Sequence, residues 1–191
     1  CSNAGSFVFG NLPLLFAVGI AIGLANINKE TAALSAVLGF LLFHTVISTI
    51  LGFQGLSPEN VTSEAFIAAG KSAGQAAGLA SLYTRELGIF TLQTGVFGGI
   101  ICGIVSALLT NKFSNVALPD YLAFFSGNRL VPVMTMIVFI PVAFLFPFFW
   151  PIVFKGIVRA GEAFSSMGYF GTFLYGFSMR LLNVFGLHHA I

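Results

Sequence analysis

Apolar residues run along this chain in long stretches, with the charges gathered in the gaps between them. A helix needs about 20 mainly apolar residues, at 1.5 Å each, to cross roughly 30 Å of hydrocarbon. Read between charges, four segments reach that length: Phe7 to Ile27, Thr31 to Gly52, Leu87 to Asn111 and Leu130 to Phe154. Each predicts a membrane-spanning helix. Only Asn28-Lys29-Glu30 separates the first two, which predicts an antiparallel helical hairpin. Pro13 lies near the start of the first segment, where a missing N–H costs least. The fourth contains Pro132, Pro141, Pro147 and Pro151, which predict kinks or an early end near Trp150. Trp150 itself reads as an anchor at the membrane–water interface.

The pattern breaks in three places. Phe53 to Glu86 holds Pro58, five charged residues and many Ala, Gly and Ser, and reads as a water-exposed excursion with room for a short surface helix. Lys112 to Arg129 reads as a short, partly aromatic loop. Beyond Phe154, Lys155, Arg159 and Glu162 recur at helical spacing beside Ile157, Val158, Ala160 and Ala163, which suits an amphipathic helix lying in the interface. Met167 to Ile191 is again mainly apolar, broken up by Gly168, Gly171, Gly176 and Gly186. The organisation expected is a transmembrane scaffold over 1–154, then the amphipathic helix and the start of a second domain over 155–191. With the excursion outside, Lys29 and the Lys112–Arg129 loop fall inside, the favoured sense for basic residues, while Lys155 and Arg159 fall outside against the rule.

Composition sharpens this picture. Of 191 residues, 57% are hydrophobic and 7% charged, with a mean hydropathy of +0.97. A soluble domain carries roughly 25% charged residues to cover its surface, so this surface meets lipid. The 22 glycines agree, since Gly is more frequent in membrane helices. A net charge of +2, dispersed along the chain, argues against a nucleic-acid partner. Cys1 and Cys102 offer no disulfide framework, and Cys102, inside an apolar run, reads as a buried inert thiol. Cys1 to Ser6 lacks the charged start of a signal peptide.

Candidate chemistry concentrates at the end of the chain. Arg180 sits among apolar residues, followed by Gly186 and the pair His188-His189. An arginine in such surroundings costs several kcal/mol on most scales and usually faces a cavity or partner. Gly186 could let the chain turn beside a polar pocket. Equally, Arg180 could snorkel to the headgroups with the histidines at a helix end. His44, alone in the second helix, suits a packing hydrogen bond better than a site, and Arg85-Glu86 suits a solvated boundary pair. Gly95 to Gly103 permits close helix packing and is no phosphate loop, because no Gly-Lys-Ser/Thr follows. No metal-ligand spacing occurs, the main helices carry no buried carboxylate for a proton relay, and no cofactor is called for.

Four stretches together resemble one known family. Phe9-Gly-Asn-Leu-Pro-Leu-Leu-Phe-Ala-Val-Gly-Ile-Ala-Ile-Gly23 resembles the second-helix motif of the membrane component, enzyme IIC, of sugar phosphotransferase systems of the glucose superfamily. Thr94-Gly-Val-Phe-Gly-Gly-Ile matches another piece. Leu118-Pro-Asp-Tyr-Leu-Ala-Phe-Phe-Ser-Gly-Asn-Arg-Leu-Val-Pro132 is similar to its long cytoplasmic signature, and Arg180-Leu-Leu with Phe185-Gly-Leu-His-His189 to its sugar-site motif. The resemblance implies an all-α integral membrane protein: the N-terminal helical scaffold half of an enzyme IIC-type transporter plus the start of its sugar-binding half. It implies a multi-pass protein of the bacterial inner (cytoplasmic) membrane, a homodimer formed through the scaffold, and a sugar permease for a hexose or glucosyl disaccharide. Uptake would be coupled to phosphorylation by a phosphocysteine on a cytoplasmic IIB partner. Arg180 and His188 would contact the sugar, and His188 would help to accept the proton of the attacked hydroxyl. The excursion, with Arg85-Glu-Leu-Gly-Ile before Thr94-Gly95, looks more like maltose-type than glucose-type members.

The family's Thr-Glu-Pro motif, its IIB cysteine segment and the helix before Phe7 do not occur in these residues. The chain therefore reads as a fragment, and phosphotransfer is expected of the parent protein rather than of this piece alone. Two other readings compete: a secondary transporter or channel that leaves its solute unmodified, or a dimerising membrane scaffold.

Overall fold

The computed structural model describes residues 10–70, 73–116, 119, 124, 126–166, 173, 176–177 and 180. The chain falls into two compact units, drawn from Cys1–Val46 with Gly95–Phe144 and from Ile47–Thr94 with Leu145–Ile191.

In the first unit, α1 spans Leu12–Leu24 with Pro13 in its opening turn, where proline has no intrahelical hydrogen bond to lose. Its 13 residues rise only about 20 Å. The helix expected over Phe7 to Ile27 thus stops earlier, at Leu24, and residues 7–9 lie outside the described residues. Ala25 leaves the helix in an extended conformation, with ψ of 123°. Asn28 adopts a φ of 50°, a left-handed conformation that Asn tolerates better than most residues, and the chain turns into α2 (Lys29–Phe53). Glu30 in the first turn of α2 complements the positive end of the helix dipole. Ala21 and Ala25 pack with Ala32 and Ala36 in one buried cluster, so methyl-sized side chains let the two helices close into the expected hairpin.

α5 (Gly95–Phe113) lies along α1. Gly99, Cys102, Gly103, Ser106 and Thr110 are buried on one of its faces. A Cβ on Gly99 would overlap the Pro13 carbonyl oxygen, and one on Gly103 would come within 2.6 Å of the Ala17 carbonyl oxygen. The glycine run therefore does serve close helix packing. A 3₁₀ turn, Gly127–Arg129, leads into α6 (Leu130–Ser166). The fully buried Phe139 ring lies directly over Gly39, where a Cβ would meet its Cε2 at 2.7 Å.

α6 does not take the early end that was one of the two outcomes its prolines predict, and it corrects the expectation of a separate amphipathic helix. Its 37 residues run through Pro132, Pro141, Pro147 and Pro151 without ending near Trp150. Pro132 falls in the first turn, and each later proline removes a single i→i−4 bond while the neighbouring bonds carry the helix on. The same helix continues through Lys155, Arg159 and Glu162, so these residues extend α6 and do not begin a separate helix.

The second unit contains α3 (Ser63–Ala68) and α4 (Ala73–Ala80). Thr62 caps α3, its hydroxyl accepting from the Ala65 N–H at 3.2 Å. A hairpin follows: β1 (Tyr83–Glu86) pairs antiparallel with β2 (Ile89–Leu92), matching Tyr83 to Leu92 and Arg85 to Phe90. Leu87 and Gly88 turn it with φ of 51° and 83°, the sign pattern of a type I′ turn. Leu87 to Thr94, expected as the start of a spanning helix, thus form turn, strand and linker instead. Neither window hydropathy nor periodicity separates a short apolar run such as Ile89-Phe-Thr-Leu from a helix segment.

Among the described residues, three helical stretches, Lys29–Phe53, Gly95–Phe113 and Gly127–Gly156, are long and apolar enough to cross a membrane. Leu41, Leu108, Ile137 and Phe144 are exposed along them, as lipid-facing side chains should be. The fold is that of an integral membrane protein, and its described elements are helical apart from the hairpin.

Candidate functional site

Arg180 is helical and exposed. It borders an open groove of about 370 Å³ together with Phe173, Gly176 and Phe177. The spacing 173, 176, 177, 180 is that of one helix face, so two aromatic rings, a glycine and a guanidinium share a single surface. Among the described residues no hydrogen bond or ion pair reaches the Arg180 side chain. Its five N–H donors, in a planar fork, suit paired acceptors such as vicinal hydroxyls. His188 and His189, with Gly186, lie outside the described residues.

The structure also joins residues that sequence reasoning passed over. Asn111 Nδ2 donates to the Leu24 carbonyl oxygen at 3.0 Å, while its Oδ1 accepts from the Asn26 N–H at 2.8 Å. Asn28 Nδ2 donates to Ser114 Oγ, which donates in turn to Asn128 Oδ1 at 2.9 Å. The Gly127 N–H and Ser126 Oγ both donate to the Val116 carbonyl oxygen. This polar seam ties three places together: the α1–α2 turn, the end of α5 and the Ser126-Gly-Asn-Arg129 turn. Lys29, Lys112 and Arg129 therefore sit at one end of this unit. Arg129 lies over the Phe124 ring, its Cζ 4.7 Å from the centroid. The available signal was an asparagine beside three of the apolar runs, Asn28 after the first, Asn111 at the end of the third and Asn128 before the fourth, where a carboxamide can close the backbone groups that a helix terminus leaves open.

Other candidates resolve into packing. His44 is buried edge-on to Phe40 and Phe43, with ring centroids 4.4 and 5.2 Å away. Cys102 is a buried free thiol. Trp150 is not an interface anchor: it is buried, stacks on Phe146, and donates Nε1–H to the Gln93 carbonyl oxygen at 2.9 Å. Arg85 and Glu86 do not form a solvated pair, because consecutive strand residues point to opposite faces. Arg85 is exposed, while Glu86 is 9% exposed and burial pushes its carboxyl up to about 7.

Compared with known families, the chain matches Phosphotransferase system, EIIC, over residues 1–191. It is 42% identical over 190 residues to a PTS system glucose-specific EIICBA component of Staphylococcus saprophyticus, covering 98% of this chain and 25% of that protein. It is 41% identical over 189 residues to the protein of the same description in Staphylococcus carnosus, again covering 98% of this chain and 25% of the relative. The chain thus spans about a quarter of the length of these curated relatives.

Proposed function

Since this chain belongs to the phosphotransferase-system EIIC family, we propose that it forms the first half of a sugar permease whose parent protein couples uptake to phosphorylation. The observation that carries this reading is the match across all 191 residues to the family and, at 42% identity, to a glucose-specific component. Glucose is the first substrate to try; a glucosyl disaccharide of the maltose type is the second. Arg180 donates to sugar hydroxyls, supported by its lack of a described partner and by Phe173 and Phe177 beside it. His188 binds a further hydroxyl and takes its proton as the oxygen attacks phosphorus, while the P–S bond to the IIB cysteine breaks and the thiolate leaves.

The IIB partner docks from the cytoplasm, and the scaffold helices pair with a second copy. We assign the polar seam to the cytoplasmic side of a bacterial membrane, since it collects Lys29, Lys112 and Arg129. The hairpin over 83–92 then lies outside. α1 lies in the apolar run Phe7 to Ile27, which we propose as a fourth span, and residues 155–191 belong to the sugar-binding half.

The test uses membrane vesicles of the full-length parent protein. Uptake should require phosphoenolpyruvate and the phosphorelay and should deliver sugar phosphate. Unmodified sugar accumulating without the relay would reject the proposal in favour of a secondary transporter or channel.

A further inference from the structure

The hairpin carries a second constellation, separate from Arg180. In β1, Tyr83 and Arg85 share one face by strand alternation. Phe90 pairs directly with Arg85 and stacks diagonally on Tyr83, with centroids 5.9 Å apart and planes at 18°. They line an open groove of about 240 Å³ together with Pro58, Val61 and Thr84. Both rings are half-exposed and the Arg85 side chain is exposed. Among the described residues, no hydrogen bond or ion pair engages the Tyr83 hydroxyl or the Arg85 guanidinium.

A surface strand ordinarily disposes of such groups in water. Here two half-buried rings form a continuous apolar floor, and unengaged donors stand at its rim. Small-molecule sites are built this way, from aromatic surface with a few placed polar groups. A pyranose matches both parts. Its C–H face is apolar and can lie on the rings. Its equatorial hydroxyls point outward, where the fork of Arg85 can donate to two of them. An inorganic anion would use Arg85 but would leave the rings idle. The volume of about 240 Å³ suits one hexose ring.

We infer that the Tyr83–Arg85–Phe90 groove is a second hexose-binding site, which captures free sugar outside the Arg180 surface. The inference rests on the sugar-permease reading. An open groove with two polar side chains binds weakly, in the millimolar range that corresponds to about 4 kcal/mol. Its effect is to hold sugar on the hairpin before transport.

Saturation-transfer NMR with D-glucose on the purified, unphosphorylated full-length protein reads such weak binding. The glucose signal should persist in Arg180→Ala and fall several-fold when Tyr83→Ala is added. In relay-driven vesicles, Arg85→Gln should raise the KM for glucose uptake up to about tenfold, the loss of one charge-assisted hydrogen bond, and more than it lowers kcat. Arg85 is exposed, so this variant keeps the fold. Abolition of the signal by Arg180→Ala alone, or an unchanged KM in both Arg85→Gln and Tyr83→Phe, would overturn the second site and leave the permease reading standing. A wild-type protein with no glucose signal and no relay-driven uptake would overturn both.

Discussion

Trp150 Nε1 donates to the Gln93 carbonyl oxygen at 2.9 Å and so ties α6 to the residue that follows β2. The indole is buried and also stacks on Phe146, which makes the bond a neutral one shielded from solvent. Trp150→Phe keeps an aromatic ring and removes the donor. We expect a loss of about 1 kcal/mol, read as a lower thermal midpoint of the full-length protein in detergent. An unchanged midpoint would mean that the bond contributes nothing net.

The seam between α1 and α5 has almost no tolerance for added volume at Gly99. Gly99→Ala forces a methyl group against the Pro13 carbonyl oxygen and should destabilise by about 1–3 kcal/mol. At Gly19, in α1, a Cβ would meet nothing within 4 Å. Gly19→Ala should be neutral or stabilising by up to about 1 kcal/mol, because helix propensity improves. Thermal melts of the two variants side by side check the contrast.

Asn111 acts through both ends of its carboxamide, accepting from Asn26 and donating to Leu24. Asn111→Leu removes both bonds and should cost about 1–3 kcal/mol. Asn111→Asp keeps the acceptor and should cost less. Faster protease cleavage near residues 24–28 in the leucine variant, and less so in the aspartate variant, is the expected readout.

Glu86 supplies a pH dependence whose sign is set by burial. Its carboxyl is raised from 4.5 to about 7, so the folded state favours the protonated acid. The contribution is complete below about pH 4.5 and is lost as pH rises through about 7, the charged form being the one penalised. Glu86→Gln should therefore stabilise the protein above about pH 7, by up to about 3 kcal/mol, and make no difference below about pH 4.5. Melting curves of wild type and variant at about pH 4, 6 and 8 test this across the titration range. A gap that widens toward acid would contradict it.

Much of the fold was legible along the chain. Runs such as Thr31 to Gly52 announce a span because backbone polar groups in lipid must be satisfied within the segment, and α2 follows that run closely. The turn at Asn28 and the packing role of Gly99 and Gly103 could be anticipated from residue type. The hairpin was harder. Ile89 to Leu92 is apolar enough to pass for the beginning of α5, and only the positive φ at Leu87 and Gly88 shows where the strand turns. Prolines in α6 argued for kinks or an early end, and the helix continues past Trp150 because the neighbouring hydrogen bonds carry it on. At the candidate site, Arg180 stood out by its cost in apolar surroundings. Phe173 and Phe177, ordinary apolar residues by type, join it only through helical spacing.

The sequence by itself determined that this protein lives in a membrane, which segments are apolar enough to cross it, and which family motifs it bears. These follow from composition, run length and residue order, all local properties of the chain. Tertiary structure alone decided that Trp150 turns inward to Gln93, that Asn28, Asn111, Ser114 and Asn128 meet at one seam, and that Tyr83, Arg85 and Phe90 share a groove. Side-chain pairing depends on distances between segments far apart in sequence, and neither hydropathy nor periodicity carries that information.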